Sequence, residues 1–588
     1  MTSRLMHVTP SGAVGLAFAA TCFAIIPAIV GALWLSVFTS TVCFALAAAG
    51  VAFMYARLGM VSLTQVGLMG VGGWVLLRLN YWAALPFEIN MVLAALITMV
   101  FGMILALPAL RLRGLYLALV TLMAAGGLEI IFSTFQFPNG GTGFWGVQTG
   151  LTSAVRRPVM AQSDAGYLRY TVAVATFGFV LIELFRRLKA GRAWAMIRRS
   201  EAAAMAAGVN VTLYKTLAFA LSGFLGGLAG ALLAGSLGLL DGQTFRASES
   251  IMIFALAVVG GARYWYGVII AAALFRILPA LLNNWGVDAD LSFVIFGAGL
   301  LHAVITAPDG IAGQVRGLFT KGASARTSAV HTRSETPAAQ QKNTSARTGS
   351  TQIKGVSVQF GGVRALDGVN ASFTSPISGI IGPNGAGKTT LMNVISGFIA
   401  PKEGRVVALG DDLSAKSPHG RSQWGLRRSF QKEEISEDLS VFENVRVQID
   451  AAPMSAAEKT QSVERALAFV GLADMADVSG ADLNSFERRL TDVAKCIVGA
   501  PKLIMFDEPA GGLTLQETAR LGDLILRIHG ETGAQVLLID HDVALIERIC
   551  AETLVLDFGK AIAFGPTSDV LADPVVKAAY LGTLEVDP

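Results

Sequence analysis

Long apolar runs separated by short polar loops fill the chain up to about residue 310. A helix needs about 20 apolar residues to cross a hydrocarbon core of about 30 Å. The runs predict ten membrane spans at residues 13–33, 36–56, 60–79, 90–110, 115–135, 167–187, 216–238, 250–263, 266–284 and 290–307. The eighth run is short, which predicts a broken or re-entrant segment. The first run continues directly into further spans, so it predicts a transmembrane helix and not a cleaved signal peptide.

The loops between the predicted spans differ in their content of basic residues. With both termini inside, the cytoplasmic side holds Arg4, Arg57, Arg111, Arg113, Arg186, Arg187, Lys189, Arg192, Arg198, Arg199, Lys215 and Arg263. The outer side then holds Arg78, Arg156, Arg157, Arg169 and Arg246. Cytoplasmic loops of membrane proteins carry the excess of basic residues. We therefore expect a multi-pass protein with both termini in the cytoplasm.

Small residues are frequent within the predicted spans, as in residues 67–73 and 223–230. They let membrane helices pack closely, which favours a multi-helix bundle over a single anchor. Arg276 lies near the middle of the ninth span, where a charge is costly. This arginine either belongs to a structural ion pair inside the bundle or lines a transport path.

Composition changes sharply after the last predicted span. The chain as a whole is 53% hydrophobic and 15% charged, with a net charge of +4. Residues 321–350 have no bulky apolar side chain other than Val330, and we expect a flexible linker there. The predicted organisation is an all-α membrane domain at 1–312, a linker at 313–350 and a soluble α/β domain at 351–588.

Two classes of function are disfavoured by composition. The basic residues lie in loops and not in patches with aromatic residues, so we expect no nucleic-acid partner. The four cysteines, Cys22, Cys43, Cys496 and Cys550, have no metal-ligand spacing and are expected to be reduced thiols.

A phosphate-binding loop follows a strand-like segment at 379–381 and precedes a helix-like segment that begins at Thr390. The loop reads Gly382, Pro383, Asn384, Gly385, Ala386, Gly387, Lys388 and Thr389. Glycines let backbone N–H groups close on phosphates, and the helix N-terminus favours their charge. Lys388 is expected to reach the terminal phosphates of ATP, and Thr389 to offer its hydroxyl to Mg²⁺.

Two further segments carry the side chains that ATP hydrolysis needs. An apolar strand at 503–506 ends in Asp507 and Glu508, and His541 follows the apolar strand 536–539. Asp507 is expected to hold the Mg²⁺ shell, and Glu508 to orient and polarise the attacking water. His541 is expected to contact the γ-phosphate.

In these motifs the region 351–588 resembles the ATP-binding subunits of ABC transporters. The resemblance implies an ATP hydrolase coupled to transport. It makes Gln431 the glutamine that senses Mg²⁺ and meets the membrane domain, and Phe360 the aromatic residue that stacks on adenine. The endings at 557–560 and 579–582 resemble the branched-chain amino-acid importer branch.

One segment departs from this family. Where the family has a five-residue signature of the type Leu-Ser-Gly-Gly-Gln or Leu-Ser-Tyr-Gly-Gln, this chain has Leu483, Asn484, Ser485, Phe486 and Glu487. In the family that segment closes on the γ-phosphate held by the opposite ATPase subunit, and Phe486 places a large side chain there. This degenerate signature implies a second ATP-binding subunit with an intact one. The alternative is that Phe486 swings aside and Ser485 substitutes.

The membrane half resembles branched-chain amino-acid permeases at residues 108–116 and 191–203. The resemblance identifies Glu201, Ala202 and Ala203, with Gly208 after them, as the cytoplasmic coupling helix that docks on the ATPase near the glutamine loop. The position of this segment in the largest basic loop agrees with that interpretation.

The sequence therefore predicts a permease–ATPase fusion of an ABC importer in the bacterial inner membrane, which takes up branched-chain or related hydrophobic amino acids. The expected partners are a second permease, a second ATP-binding subunit, an extracytoplasmic substrate-binding protein and the lipid bilayer. Relatives also handle urea, amides and aromatic acids, so these substrates stay open. The remaining alternatives are an ABC exporter, disfavoured by the short and numerous spans, and a membrane-anchored regulatory ATPase.

Overall fold

The structure, a computed structural model, describes residues 10–83, 85–112, 114–134, 155–238, 240, 242–288, 291–306, 310–314 and 349–581 of the 588-residue chain. The predicted linker lies almost entirely outside the described residues, as do both termini. The chain divides into two compact units. The first comprises Met1–Gly191 and Thr212–Arg333, and the second comprises Arg192–Val211 and Ser334–Pro588.

The first unit is helical throughout its described part. Its helices are α1 Pro10–Ala24, α2 Ile26–Ile29, α3 Ala32–Leu58, α4 Gln65–Trp82, α5 Phe87–Ala109, α6 Leu115–Thr134, α7 Asp164–Arg187, α10 Val211–Leu237, α11 Ala247–Gly260, α12 Trp265–Asn284 and α13 Leu291–Thr306. Two more helices, α8 Lys189–Arg199 and α9 Glu201–Ala206, lie between α7 and α10.

Every predicted span overlaps a helix, but only some of these helices are long and apolar enough to cross a membrane. Among the described residues six qualify, namely Ala32–Leu58, Phe87–Pro108, Leu115–Thr134, Asp164–Arg187, Val211–Leu237 and Trp265–Asn284. The first predicted span is divided into α1 and α2, and Pro27 stands at the start of α2, where its missing N–H is tolerated. The eighth is the 14-residue α11, which ends at Gly260 and is followed by Gly261 with φ +104°. About six spans are therefore supported by length and composition.

Backbone contacts between glycines hold α4 and α10 together. A Cβ on Gly72 would lie 2.5 Å from the Gly227 carbonyl oxygen, so a larger residue there would push the helices apart. Beside this contact, Ser222 Oγ donates to Gln65 Oε1 at 2.9 Å, and Gln65 Nε2 donates to Ser222 O at 3.2 Å. Arg276 of α12 donates to Ser40 Oγ at 3.3 Å.

The second unit has an α/β architecture. Its strands are β1 Thr351–Phe360, β2 Val363–Phe373, β3 Ile377–Ile381, β4 Glu403–Ala408, β5 Asp411–Asp412, β6 Leu426–Arg428, β7 Leu503–Asp507, β8 Gln535–Ile539, β9 Glu552–Asp557 and β10 Lys560–Pro566. Its helices, besides the docked segment described below, are α14 Lys388–Ser396, α15 Pro418–Trp424, α16 Val441–Arg446, α17 Ala456–Val470, α18 Ser485–Ile497, α19 Leu515–Thr532, α20 Val543–Ile549, α21 Thr567–Ala572 and α22 Pro574–Leu581.

Two sheets organise this unit. The larger has the order β10-β9-β3-β8-β7-β6, and the smaller, antiparallel sheet has the order β2-β1-β4-β5. Strands β3, β7 and β8 are buried along their whole length, as their continuous apolar sequences predict for parallel strands covered on both faces. One apolar cluster joins this sheet to α16–α20, and another joins it to α14 and the smaller sheet. The α/β prediction for this region is confirmed.

Candidate functional site

The predicted ATPase residues meet because four neighbouring strands run parallel. Strand β3 pairs with β8, β8 with β7, and β7 with β6, so their carboxyl ends lie at one edge of the sheet. The phosphate loop follows β3, His541 follows β8, Asp507 and Glu508 end β7, and Gln431 follows β6. The chain order of the motifs thus becomes one site.

The loop after β3 depends on its glycines. Gly382, Gly385 and Gly387 have φ values of +149°, +83° and +104°, a region that residues with a Cβ rarely adopt. At Gly387 a Cβ would also lie 2.6 Å from the Ala365 carbonyl oxygen, so glycine alone lets β2 approach.

Lys388 opens α14 directly after the loop. Its ammonium donates to the carbonyl oxygens of Gly382 at 2.6 Å and Pro383 at 3.0 Å, and burial lowers its pKa. Asn384 and Thr389 are exposed, and Thr390 is half-buried. The N-terminus of α14 therefore presents backbone donors, a hydroxyl and an ammonium group together, a set suited to phosphate.

Glu508 lies at the centre of the site. Its backbone has φ +49°, uncommon for a residue with a side chain, and its N–H donates to Ile539 O at 2.8 Å. Its carboxylate accepts from Gln431 Nε2 at 2.6 Å and lies 2.9 Å from His541 Nε2. The structure therefore brings three of the predicted residues into direct contact.

Asp507 is buried one residue before Glu508. Burial raises the pKa of its carboxyl group, and the neighbouring Arg428 opposes that rise. Arg428 Nη2 lies 3.1 Å from Asp507 Oδ2, and both side chains are almost fully buried. Arg428 also donates to Asn393 Oδ1 and Ser396 Oγ of α14. This pair ties the end of β7 to the helix that follows the phosphate loop.

Phe360 lies at the end of β1 and is 51% exposed. The following strand is linked to the phosphate loop through Gly559, because the Asp367 N–H donates to Gly559 O and the Gly559 N–H donates to Ala386 O. The smaller sheet thus holds Phe360 on a hairpin anchored to the loop.

The degenerate signature forms the start of α18. Asn484 is the N-cap and accepts from the Glu487 N–H at 2.9 Å, while the Glu487 carboxylate accepts from the Asn484 N–H at 2.9 Å. Phe486 is half-buried against the apolar cluster, with Arg520 of α19 over its ring at 5.4 Å. Leu483 is buried and Ser485 is exposed. The helix start is thus capped and charge-balanced by its own side chains.

Residues 192–211, which we name the docking segment, belong to the second unit. Three of its arginines meet three carboxylates. Arg192 makes two hydrogen bonds of 2.8 Å to Asp450, Arg198 donates to Asp438 at 2.9 Å, and Arg199 donates to Glu434 at 2.9 Å. Paired charge-assisted hydrogen bonds like those of Arg192 fix geometry as well as adding stability.

The predicted coupling helix lies within the docking segment. Ser200 caps α9 by accepting from the Ala203 N–H. Ala203 is buried, while Glu201 and Ala202 are half-buried. Gln448 Nε2 donates to Ala206 O at 2.9 Å, and Gln423 Nε2 donates to Gly208 O at 3.3 Å. Gly208 has φ +77°, and a Cβ there would lie 3.4 Å from Ser422 Oγ.

A chain of polar contacts joins this segment to the ATPase residues. Arg199 contacts the backbone of Glu433 and the side chain of Glu434, which follow Gln431 closely in sequence. Glu433 is paired with the buried Arg489 of α18 at 2.6 Å, and Arg489 also donates to Gln431 O at 3.2 Å. The docking segment and α18 therefore both contact the glutamine loop, the segment that runs from Gln431 to Glu434.

Sequence reasoning missed the roles of Arg428 and Arg489. Both are charged residues in apolar surroundings, and a buried charge is rarely left unpaired. Their positions indicated a buried role only weakly. Arg428 lies at the end of a short strand, and Arg489 lies one turn into an amphipathic helix. Their partners come from other elements, so no local pattern could identify them. Thr514 caps α19 in a reciprocal pair with Glu517.

Comparison with known proteins agrees with this geometry. The family described as branched-chain amino acid transport system / permease component matches residues 33–304, and the family described as ABC transporter matches residues 368–511. The high-affinity branched-chain amino acid transport ATP-binding protein LivG of Escherichia coli K12 is 32% identical over 246 residues, which cover 39% of this chain and 96% of LivG. The chain belongs to the ABC transporter family of branched-chain amino acid transport.

Two further likenesses concern the ATPase region of the transporter. BraF of Pseudomonas aeruginosa, described by the same function as LivG, is 31% identical over 247 residues, covering 39% of this chain and 97% of BraF. A crystal structure of an ATP-binding cassette of an ABC transporter in its ADP conformation is 27% identical, with a TM-score of 0.37, covering 40% of this chain and 99% of that one. By the two family matches and the likeness to LivG, the transporter joins a permease of this family to an ATP-binding cassette that hydrolyses ATP.

Proposed function

We propose that this transporter drives the uptake of branched-chain or related hydrophobic amino acids across the bacterial inner membrane at the expense of ATP. The observation that carries the proposal is the docking segment on the cassette. Its three arginines meet Asp450, Asp438 and Glu434, the last lying three residues after Gln431. A segment from the permease sequence held beside the glutamine loop supports mechanical coupling. A membrane-anchored regulatory ATPase has no need of such a contact.

The cassette residues have the following roles in the proposal. Lys388 and the loop N–H groups bind the phosphates, with Phe360 stacked on adenine. Glu508 polarises the attacking water, and His541, in contact with Glu508, also reaches the γ-phosphate. The geometry supports these roles because Glu508 accepts from Gln431 and contacts His541 at the carboxyl edge of the sheet.

The residues present fit Mg²⁺, which accompanies ATP in the proposal. Thr389, Gln431 and Asp507 provide a hydroxyl, an amide and a carboxylate oxygen, the ligand chemistry that Mg²⁺ prefers. Asp507 is held by Arg428 at 3.1 Å, which fixes the carboxylate beside the phosphate loop. Bound Mg²⁺ neutralises charge on the phosphate oxygens, while the protein residues position the nucleotide.

The proposed topology keeps ten spans, a linker at 313–350 and both termini in the cytoplasm. In this arrangement α11 and the first span count among the ten, although α11 is short and the first span is divided into α1 and α2. The basic loops and the docking segment then lie on the side where ATP is available. The membrane domain extends over 1–312 and the ATP-binding domain over 351–588.

The proposed complex pairs this chain with a second permease and a second ATP-binding subunit that has an intact signature, and an extracytoplasmic protein delivers the substrate. The capping pair of Asn484 and Glu487 supports this asymmetry. The pair occupies two N–H donors at the start of α18, those of Asn484 and Glu487, and adds a carboxylate beside them. Phe486 stands in place of a small residue at the same helix start, and its ring packs against the cassette's own apolar cluster. This chain therefore supplies a competent phosphate loop and a poor signature.

Uptake into proteoliposomes tests the proposal. The full complex, reconstituted with ATP on the cassette side, should accumulate radiolabelled leucine and not urea or benzoate. Lys388→Ala should abolish uptake by weakening nucleotide binding, and Gly208→Leu should abolish uptake while nucleotide binding persists. Accumulation of urea or benzoate in place of leucine would assign the alternative substrates. ATP hydrolysis with no transport of any of them would favour the regulatory ATPase.

A further inference from the structure

Arg276 and Glu249 are two charged residues within the helices of the membrane unit. Arg276 lies near the middle of the 20-residue α12, and Glu249 lies in the first turn of the 14-residue α11. Both side chains are half-buried. A charge among membrane helices is costly, and it marks either a structural ion pair or a functional site.

The two charges lie at the same level of a helical hairpin. Helix α11 ends at Gly260 and α12 begins two residues before Gly267, and a Cβ on Gly260 would clash with the Gly267 carbonyl oxygen. Glu249 stands 11 residues before Gly260, and Arg276 stands 9 residues after Gly267. At 1.5 Å per residue they lie about 16 Å and about 14 Å along their helices from this contact. The two residues therefore belong to one layer of the bundle.

Arg276 is held by two uncharged side chains of α3. Its Nε donates to Ser40 Oγ at 3.3 Å, and its guanidinium carbon lies 5.0 Å from the centre of the Phe44 ring. Both partners are buried, so the guanidinium reaches into the packed bundle and is oriented there. Its Nη1 and Nη2 have no hydrogen-bond acceptor, and no carboxylate pairs with them, among the described residues. These two nitrogens are available to a ligand carboxylate.

Glu249 has no hydrogen bond and no ion pair in the part of the chain that the structure describes. It interacts electrostatically with Arg276 of α12 and with Arg246, which precedes α11. Glu129 of α6 provides a contrast, because its carboxylate accepts from the Ala247 N–H at 2.8 Å at the start of α11. One of these two carboxylates therefore caps the helix, and Glu249 is available to a ligand.

A guanidinium and a carboxylate thus lie near each other in the membrane unit with no ion pair between them. We propose that Arg276 and Glu249 bind the transported amino acid as its zwitterion, with its carboxylate on Arg276 and its ammonium on Glu249. Buried charges in proteins are normally paired, and a zwitterion supplies a partner for each of these two. Charge-assisted hydrogen bonds to both ends of the substrate also fix its orientation.

The pair of charges selects a class of substrate. Every α-amino acid carries an ammonium and a carboxylate on the same carbon atom, whereas urea is uncharged and benzoate has no ammonium. A site built on Arg276 and Glu249 therefore favours amino acids over these alternatives. This inference rests on the proposed function, because it assigns the membrane part of the same uptake reaction.

Binding of radiolabelled leucine to the full complex, purified without the substrate-binding protein, tests the site. Arg276→Gln and Glu249→Gln should each weaken leucine binding roughly tenfold or more, through loss of a hydrogen bond to a charged group. On the unaltered complex, 4-methylpentanoate lacks the ammonium and 3-methylbutylamine lacks the carboxylate, so both should compete poorly. The matched controls are Arg111→Gln, at an exposed position after α5, and Glu129→Gln, which keeps an acceptor for α11, and both should leave binding unchanged.

Removing both charges separates a substrate site from a structural pair. A structural pair tolerates loss of both charges better than loss of one, because no charge is then left uncompensated. A zwitterion site loses both contacts, so Glu249→Gln with Arg276→Gln should bind and accumulate leucine more weakly than either single variant, while ATP binding persists.

Three results would overturn the inference. They are leucine uptake by the double variant equal to that of the unaltered complex, competition by 4-methylpentanoate as strong as by leucine, and competition by phosphoethanolamine as strong as by leucine, which indicates a lipid headgroup site. Failure of the unaltered complex to accumulate leucine is a different result, because it would contradict the proposed function and the inference together.

Discussion

Glu508 shows at the level of one residue how the fold prepares ATP chemistry. The backbone turns into the left-handed region directly after β7, which aims the carboxylate at the site and away from the sheet. Gln431 and His541 then hold the two carboxylate oxygens from the neighbouring strand ends. A carboxylate fixed in this way needs little reorganisation during hydrolysis.

Replacing Glu508 with Gln should retain ATP binding and lower hydrolysis in the complex by about 10²-fold or more, since the general base is lost while the phosphate contacts persist. Nucleotide retention is measured with labelled ATP, and turnover by phosphate release. Glu531→Gln, an exposed position on α19, is the matched control and should behave as the unaltered protein. Unchanged turnover in Glu508→Gln, in an assembly without another active ATPase subunit, would show that another residue polarises the water.

The buried pair of Arg428 and Asp507 makes a second prediction at this scale. Arg428→Ala should destabilise the cassette by about 3–5 kcal/mol, because it leaves Asp507 buried without its partner. Hydrogen exchange of the β7 amides in the full chain measures the loss. Arg364→Ala, which removes an exposed pair with Asp367, should change stability by less than about 1 kcal/mol. Equal protection in the two variants would contradict the structural role of the buried pair.

The site residues that belong to motifs were predictable because each motif places its chemistry at a strand end or helix start. Lys388, Asp507, Glu508 and His541 follow apolar strands, and parallel strands bring their ends together. Arg428 and Arg489 were not predictable, because their partners come from elements distant in sequence. Periodicity reports the environment of a side chain but not the identity of its partner.

At the scale of elements, the proposed coupling depends on the docking segment. It has two short helices, and its arginines are aimed at acidic residues around the glutamine loop. The sequence predicted a docked helix at Glu201–Gly208 by resemblance. It gave no indication that the preceding helix α8 would make the ion pairs, since an arginine-rich loop equally fits positive-inside topology.

Reversing one ion pair of the docking segment should uncouple the transporter. Arg192→Asp places two carboxylates together at a half-buried contact, so ATP-driven uptake should fall at least tenfold while nucleotide binding persists. Adding Asp450→Arg restores opposite charges and should recover most of the uptake. Arg465→Asp, at an exposed position on α17, is the control and should have little effect. Failure of the double variant to recover would mean that the pair serves folding and not coupling.

The signature helix leads to a prediction of increased activity. Asn484→Ser with Phe486→Gly replaces the amide by a hydroxyl, which can donate to a phosphate oxygen, and removes the bulky ring beside the backbone donors at the start of α18. Restored donors of this kind should raise ATP turnover of the chain alone roughly tenfold or more. Leu515→Ala, an exposed change on the neighbouring helix α19, is the control. No increase in the double variant would mean that the segment is inactive for another reason.

At the scale of the whole molecule, the sequence predicted the order of the two architectures and the α/β class of the second. It counted residues 192–211 within the 1–312 domain, as a cytoplasmic segment with a coupling helix that docks on the ATPase, and in the structure these residues group with the ATPase unit. The lengths of the apolar runs also gave more regular membrane-spanning helices than the structure has among its described residues. Helix α11 has only 14 residues, and the first run is divided at Ile25. Packing and backbone breaks decide these boundaries, and hydropathy does not report them.

The central claim is that this fused chain needs a second, different ATPase subunit. The most direct measurement is the ATP turnover of the purified chain alone, with the Asn484→Ser/Phe486→Gly variant as proof that the preparation is competent. Ordinary enzymes turn over at rates on the order of 1–10 per second. We predict that the unaltered chain alone hydrolyses ATP far more slowly than this, and that its ATP turnover recovers when a partner with an intact signature is added. Turnover of 1–10 per second by the unaltered chain alone would contradict the account and show that Ser485 substitutes in the signature.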